Sequence, residues 1–169
     1  MKAYLLALAL VTTSNVFASA ACPILVGSYG SCTTGNATDD RIANISNQLK
    51  IDQIMVGDMV SYELLEPKDR TVVIVNDTVE SKKKIENVNV VFKIGAACKA
   101  KKLVLNYNLK SIAFPASMSK FERDMMTEMM AGGINGSTST YSLVGSTLTM
   151  IDKTPQGDVA LKVTCKKLN

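Results

Sequence analysis

The sequence predicts an exported all-β domain: an antiparallel meander of about eight to nine strands, closed into a barrel or folded as a sandwich, with one amphipathic helix inserted near residues 119–131. Three observations predict it. Apolar and polar residues alternate along most of the chain, which is the period of half-buried strands. Short turn signals break the alternation at frequent intervals. One stretch carries helical spacing behind a helix-start signature.

The first segment reads as an address. Met1-Lys2 is positive, Ala3 to Val11 is apolar, and Ala18-Ser19-Ala20 forms a small-x-small cleavage site before Ala21-Cys22. This is a secretory signal peptide over residues 1–20, too short in its apolar run to span a bilayer. A single domain of about 149 residues follows over 21–169, long enough for a real core. A lipoprotein would carry an aliphatic residue three places before Cys22. Ser19 stands there, so plain cleavage is expected. The expected location is the periplasm or the exterior, with a bacterial source favoured over a eukaryotic one. The sequons at Asn36, Asn44, Asn76 and Asn135 are then coincidental.

The mature chain begins with an extended run from Ile24 to Cys32. Ile45, Asn47, Leu49 and Ile51 alternate with polar neighbours, and Val56-Gly57-Asp58 turns the chain into Met59 to Glu66. Pro67-Lys68-Asp69 precedes a strand from Arg70 to Val79, and Ser81 to Lys84 reads as a polar turn. Val88, Val90, Phe92 and Ile94 form one apolar face, and Leu103, Leu105, Tyr107 and Leu109 another. Ser119-Lys120-Phe121-Glu122 is a capping box. Behind it Phe121, Met125 and Met129 recur at helical spacing, beside Met126 and Met130, and Gly132-Gly133 is the expected stop. Val144-Gly145-Ser146 joins the strands Ser139–Leu143 and Thr147–Asp152. Pro155-Gln156-Gly157-Asp158 leads to a last strand bearing Val159, Leu161, Val163 and Cys165.

Composition excludes several chemistries. The chain has no histidine and no tryptophan. Histidine-based triads and histidine zinc sites are therefore absent, and no cofactor or metal is implied. The acidic pairs Asp39-Asp40, Glu63 with Glu66, and Asp77 with Glu80 are scattered, with nothing to set two carboxylates across a cleft. Loss of Lys2 would leave 18 basic against 15 acidic residues, a mature charge of +3. That is too mild to argue for nucleic acid. Lysines cluster at 82–84, at 99, 101 and 102, and at 166–167. Solvated turns and strand ends account for them, an anionic partner being the sharper reading.

Four cysteines in an exported domain are expected to form two disulfides. An extended first strand would hold Cys22 and Cys32 about 30 Å apart at ~3.3 Å per residue, too far to bridge. With an even strand count the first and last strands run antiparallel. The favoured pairing is then Cys22–Cys165 with Cys32–Cys98. A nine-strand count would undo the first of these.

The opening Cys22-Pro23-Ile24-Leu25-Val26-Gly27-Ser28-Tyr29 resembles small exported bacterial proteins that begin Cys-Pro-x-Leu-x-Gly-x-Tyr and are lipocalin-like. Gly27-Ser28-Tyr29 stands where a lipocalin carries Gly-x-Trp, and the hairpin Tyr141 to Thr149 is similar to the late hairpin of such barrels. The resemblance implies a barrel whose mouth binds a small apolar ligand. Tyr29, Val90, Phe92, Leu105, Tyr107 and Tyr141 would line it, with Met125 and Met129 in a lid. The alternative is a filled core and a helix that only packs on it. The expected function is a noncatalytic, monomeric binding protein that sequesters a small apolar ligand such as a lipid. The alternative is a protein-binding module, an inhibitor or surface-interaction domain, on a filled barrel.

Overall fold

A computed structural model describes residues 22–35, 48–66, 69–85 and 88–168. The expected signal peptide and the sequons at Asn36 and Asn44 lie outside them. The described chain forms ten strands and one helix: β1 Gly27–Thr33, β2 Gln48–Val56, β3 Met59–Glu66, β4 Asp69–Ile74, β5 Thr78–Ile85, β6 Val88–Lys99, β7 Lys102–Ala113, α1 Lys120–Ile134, β8 Ser137–Val144, β9 Thr147–Lys153 and β10 Val159–Lys167. They make one sheet in the order β4-β3-β2-β1-β10-β9-β8-β7-β6-β5, with every neighbouring pair antiparallel. The chain is a meander whose first strand pairs with its last, so the sheet curls into a nearly closed barrel.

The seam lies between β4 and β5, which share no ladder among the described residues. It is bridged at both ends. At one, Asn76 N–H donates to the Ala96 carbonyl at 2.8 Å, and Ala96 N–H donates to Asp77 at 3.3 Å. At the other, the Lys83 ammonium pairs with the Asp69 carboxylate.

The two ends of the barrel differ. One is closed by tight turns at Gly57-Asp58, Val75–Asp77, Ala100-Lys101 and Gly145-Ser146. Ala100 and Lys101 take φ values of 48° and 59°, the left-handed pair of a two-residue hairpin, here without glycine. The 22–26 segment crosses this end. Leu25 is buried beneath it, the Tyr62 hydroxyl donates to the Pro23 carbonyl at 2.6 Å, and the Tyr29 hydroxyl donates to Leu25 at 2.5 Å. The opposite end carries α1.

Several expectations need correction. The strand count is ten because Arg70–Val79 is two strands. Asn76, with φ of 64°, turns the chain between them. Ser81–Lys84 is no turn: it lies inside β5, which pairs with β6 from Thr78 to Ile85. Gly132-Gly133 does not stop α1, which runs to Ile134 and is capped at Asn135. The capping box is present as expected.

The disulfides pair differently from expectation, as Cys22–Cys98 and Cys32–Cys165. Residues 22–26 are not strand, and β1 aligns only with the tail of β10, Tyr29 with Lys167 and Thr33 with Thr164. Cys32 therefore meets Cys165. Cys22, on the chain crossing the turn end, meets Cys98 near the end of β6. The two bridges belong to an oxidising compartment. No helix of the described residues is long and apolar enough to cross a membrane.

Candidate functional site

Cross-strand partners share a face, so register shows which side chains enter the barrel. Towards the turn end these are apolar and closely packed: Ile51, Tyr62, Val73, Ile94, Leu105 and Val163 are at most 1% exposed. Towards the helix end the inward positions become polar. Glu66 continues the inward face of Tyr62 and Leu64. Its partner Asp69 begins the face that runs through Thr71 to Val73. Lys83 lies on the inward face of β5 opposite Val90. Ser139 and Asp152 face each other across β8 and β9.

Together with Tyr107 and Tyr141 these residues line a cup of about 170 Å³ inside the barrel. Drug-sized ligands occupy roughly 300–1,000 Å³, so the cup is the size of a head group. A wider, more open groove of about 410 Å³ lies beside it over β1–β3, and Glu66 borders both.

Three carboxyls and one ammonium face the cup. Asp69 is paired with Lys83, and Asp152 accepts from the Ser139 hydroxyl at 2.6 Å. Burial pushes the Asp152 carboxyl above its usual range, against the pull of Ser139. Burial also raises Glu66, opposed by Lys83 and reinforced by Asp69 and Asp152. Burial lifts Tyr107 to about 12 and Tyr141 further above its ordinary value, so both phenols are neutral. Tyr141 is only 6% exposed. Asp69 is committed to Lys83 and Asp152 to Ser139, so the cup presents charge rather than a matched acid and base. Among the described residues no three acidic, histidine or cysteine side chains converge to hold a metal ion.

The expected lining residues divide into three groups. Tyr107 and Tyr141 line the cup. Val90, Phe92 and Leu105 belong to the packed core, and Tyr29 belongs both to that core and to the lining of the wider groove. Met125 and Met129 face solvent, 46% and 70% exposed, with Phe121 on the same side. Met126, Met130 and Ile134, at i, i+4 and i+8, pack on the barrel instead and set the rotation of α1. The lid expected from Met125 and Met129 therefore points away. The Asn135 side chain accepts from the Leu109 N–H at 2.7 Å, and Gly136 N–H donates to Tyr107 at 3.0 Å, pinning the helix end to β7. Glu66, Asp69, Lys83, Ser139 and Asp152 had not been singled out as site residues. Their parity with inward apolar neighbours was the available signal.

No protein-family profile matches the chain, and no curated protein matches it in sequence. Solved structures do match. The REP1-NXSQ fatty acid transporter superposes with a TM-score of 0.50 at 11% identity, over 86% of this chain and 96% of its own. Fatty-acid-binding protein 1 of Echinococcus granulosus gives 0.50 at 7% identity, over 86% and 98%. The chain shares with these neighbours the architecture of a curled antiparallel β-barrel. At such identities the likeness carries architecture alone, and both neighbours are named for transport or binding rather than for catalysis.

Proposed function

We propose that this protein is an exported, noncatalytic binding protein that sequesters a small amphiphilic or apolar molecule, such as a lipid, at the helix end of its barrel. The observation that carries the reading is the cup. The turn-end half of the lumen is filled by side chains, while the helix-end half holds space lined by Tyr107 and Tyr141. A lipid's polar end would occupy the cup, and its chain would leave past the rim, where Glu66 borders the wider groove. The two fatty-acid carriers of the same fold add support by analogy. The two disulfides support an oxidising location, in line with the export expected from the signal-like opening of the sequence.

A second reading, a protein-binding module, is favoured by one observation. The tip of the β2–β3 hairpin exposes Ile54, Met55, Val56 and Met59 together. Native mass spectrometry of mature protein from its own host, followed by organic extraction, separates the two. A co-purified amphiphile near one-to-one supports the carrier. The bare chain mass, less four hydrogens for two disulfides, favours the module.

A further inference from the structure

The turn end of the barrel carries apolar side chains that no part of the described chain covers. β2 pairs with β1 only from Gln48 to Ile51, and beyond Ile51 it is held by β3 alone. The hairpin therefore projects past its neighbour. Val56 faces Met59 across its tip, with Ile54 on the same face, while Met55 lies on the other face opposite Val60. Ile54, Met55, Val56 and Met59 are all exposed. Two further apolar residues stand at this end: Ile24, 76% exposed on the segment that crosses it, and Val144, 79% exposed at the β8–β9 turn.

The same end is basic. Lys99, Lys101 and Lys102 surround the β6–β7 turn, beside β8 in the sheet order. Lys167 N–H donates to the Ser146 carbonyl at 2.7 Å, which seats Lys166 and Lys167 against the β8–β9 turn. None of these five exposed lysines joins an ion pair among the described residues. The turns of this end set only Asp58 and Asp77 against them.

A protein surface meets one face of a hairpin. This tip is apolar on both faces, and Ile24 and Val144 are separate protrusions. A lipid headgroup layer is fluid, so it surrounds a projecting hairpin and admits separate side chains at once. Lysines beside such a tip attract anionic lipid, at about fivefold in affinity for each one near the surface.

We propose that the turn end docks on an anionic lipid bilayer, the β2–β3 hairpin entering the headgroup layer and the five lysines lying over it. The lysine cluster decides between a bilayer and a protein partner for this tip. The surface is independent of what the cup holds, and docking leaves the cup facing solution at the opposite end.

The chain has no tryptophan, so single substitutions supply clean reporters. Val56→Trp places one at the hairpin tip, and Phe121→Trp places one on the exposed side of α1 at the other end. Mature, oxidised protein is mixed with vesicles of phosphatidylglycerol and phosphatidylcholine in equal parts, and with vesicles of phosphatidylcholine alone. Cosedimentation measures binding, emission reports insertion, and near-ultraviolet circular dichroism checks the fold. The expected result is about tenfold stronger binding to the anionic vesicles, weakened by salt. Emission should shift to the blue for Val56→Trp and stay unchanged for Phe121→Trp. Lys99→Gln/Lys102→Gln, at exposed positions, should weaken binding by about tenfold.

No preference for the anionic vesicles, a blue shift from Phe121→Trp instead of Val56→Trp, or binding indifferent to the lysine substitutions overturns the proposal. Self-association lost in Met55→Ser/Val56→Ser, without vesicle binding, also overturns it and assigns the tip to a second copy of the chain.

Discussion

Removing the Cys32–Cys165 bridge should weaken the closure of the barrel more than any other single cross-link removal. β1 meets β10 through three aligned pairs, Tyr29 with Lys167, Gly30 with Lys166 and Thr33 with Thr164, broken by an irregularity between Gly30 and Thr33. Leu168 N–H adds one bond to the Ser28 carbonyl at 2.8 Å. The disulfide stitches this weak junction across a sequence separation of 133 residues. For a loop of that length the chain-entropy account gives about 5 kcal/mol, and for the 76-residue separation of Cys22–Cys98 about 4.5 kcal/mol. Measured losses on removing native disulfides run at about 2–5 kcal/mol. Cys32 and Cys165 are both buried, so Cys32→Ala/Cys165→Ala adds a small packing loss. Domains of this size hold only about 5–15 kcal/mol in total. The assay is urea unfolding of both double-alanine variants beside the parent, after a non-reducing peptide map has established the two pairings. The expected loss for Cys32→Ala/Cys165→Ala is about 3–5 kcal/mol, with a steeper denaturant dependence as the unfolded chain expands. A loss under about 1 kcal/mol, or one well below that of Cys22→Ala/Cys98→Ala, would refute the argument that β1 depends on its cross-link.

Three further outcomes follow from named contacts. Asp152 has a folded pKa above its ordinary 3.8, so the folded state binds more protons from that pH up to its raised value. Stability should rise as pH falls through that window, Glu66 acting in the same direction. Asp152→Asn should flatten the profile and raise the melting temperature at neutral pH, read by thermal scans across pH. Tyr62→Phe deletes the donor to the Pro23 carbonyl and should cost about 1–3 kcal/mol in urea unfolding. Ser119→Ala removes the capping box of α1, worth about 1 kcal/mol. No residue of that helix is fully buried, so the loss should appear as faster amide exchange near Glu122 and Arg123 while β6 and β7 stay protected.

The strands were legible wherever one face is wholly apolar. Val88 to Ala96 on β6 and Leu103 to Leu109 on β7 alternate cleanly and pair face to face. The turns at Gly57 and Gly145 were legible because the chain needs a left-handed residue there, and glycine supplies it cheaply. The turn at Asn76 was hidden by the unbroken apolar run Val72 to Val75, which reads as a strand continuing. Lys82-Lys83-Lys84 read as a solvated turn, yet Lys82 and Lys84 face water while Lys83 turns inward to Asp69. Disulfide pairing depends on how far β1 overlaps β10, a register that separation along the chain does not encode.

The cup was hidden for a related reason. Alternation assigns a residue to a face, and it is tempting to assume that the inner face is apolar to its end. Glu66 lies two positions beyond Leu64, Asp69 two before Thr71 and Asp152 two beyond Met150, so parity alone put all three on inner faces. Each by itself reads as a strand end meeting water. Only the sheet order, which curls β3 and β4 round towards β9, brings them to one space. Once there, they work against the fold. The Glu66 and Asp152 carboxyls, held above their usual pKa, lower stability at neutral pH, and isosteric amides would relieve that cost. Lys83 neutralises only one of the three. A domain that needed nothing but a barrel would be better served by continuing the packing of Ile94, Leu105 and Val163 into the cup. Carboxyls gathered round a cup inside the barrel, where further packing would serve stability better, fit the reading of that end as a binding site.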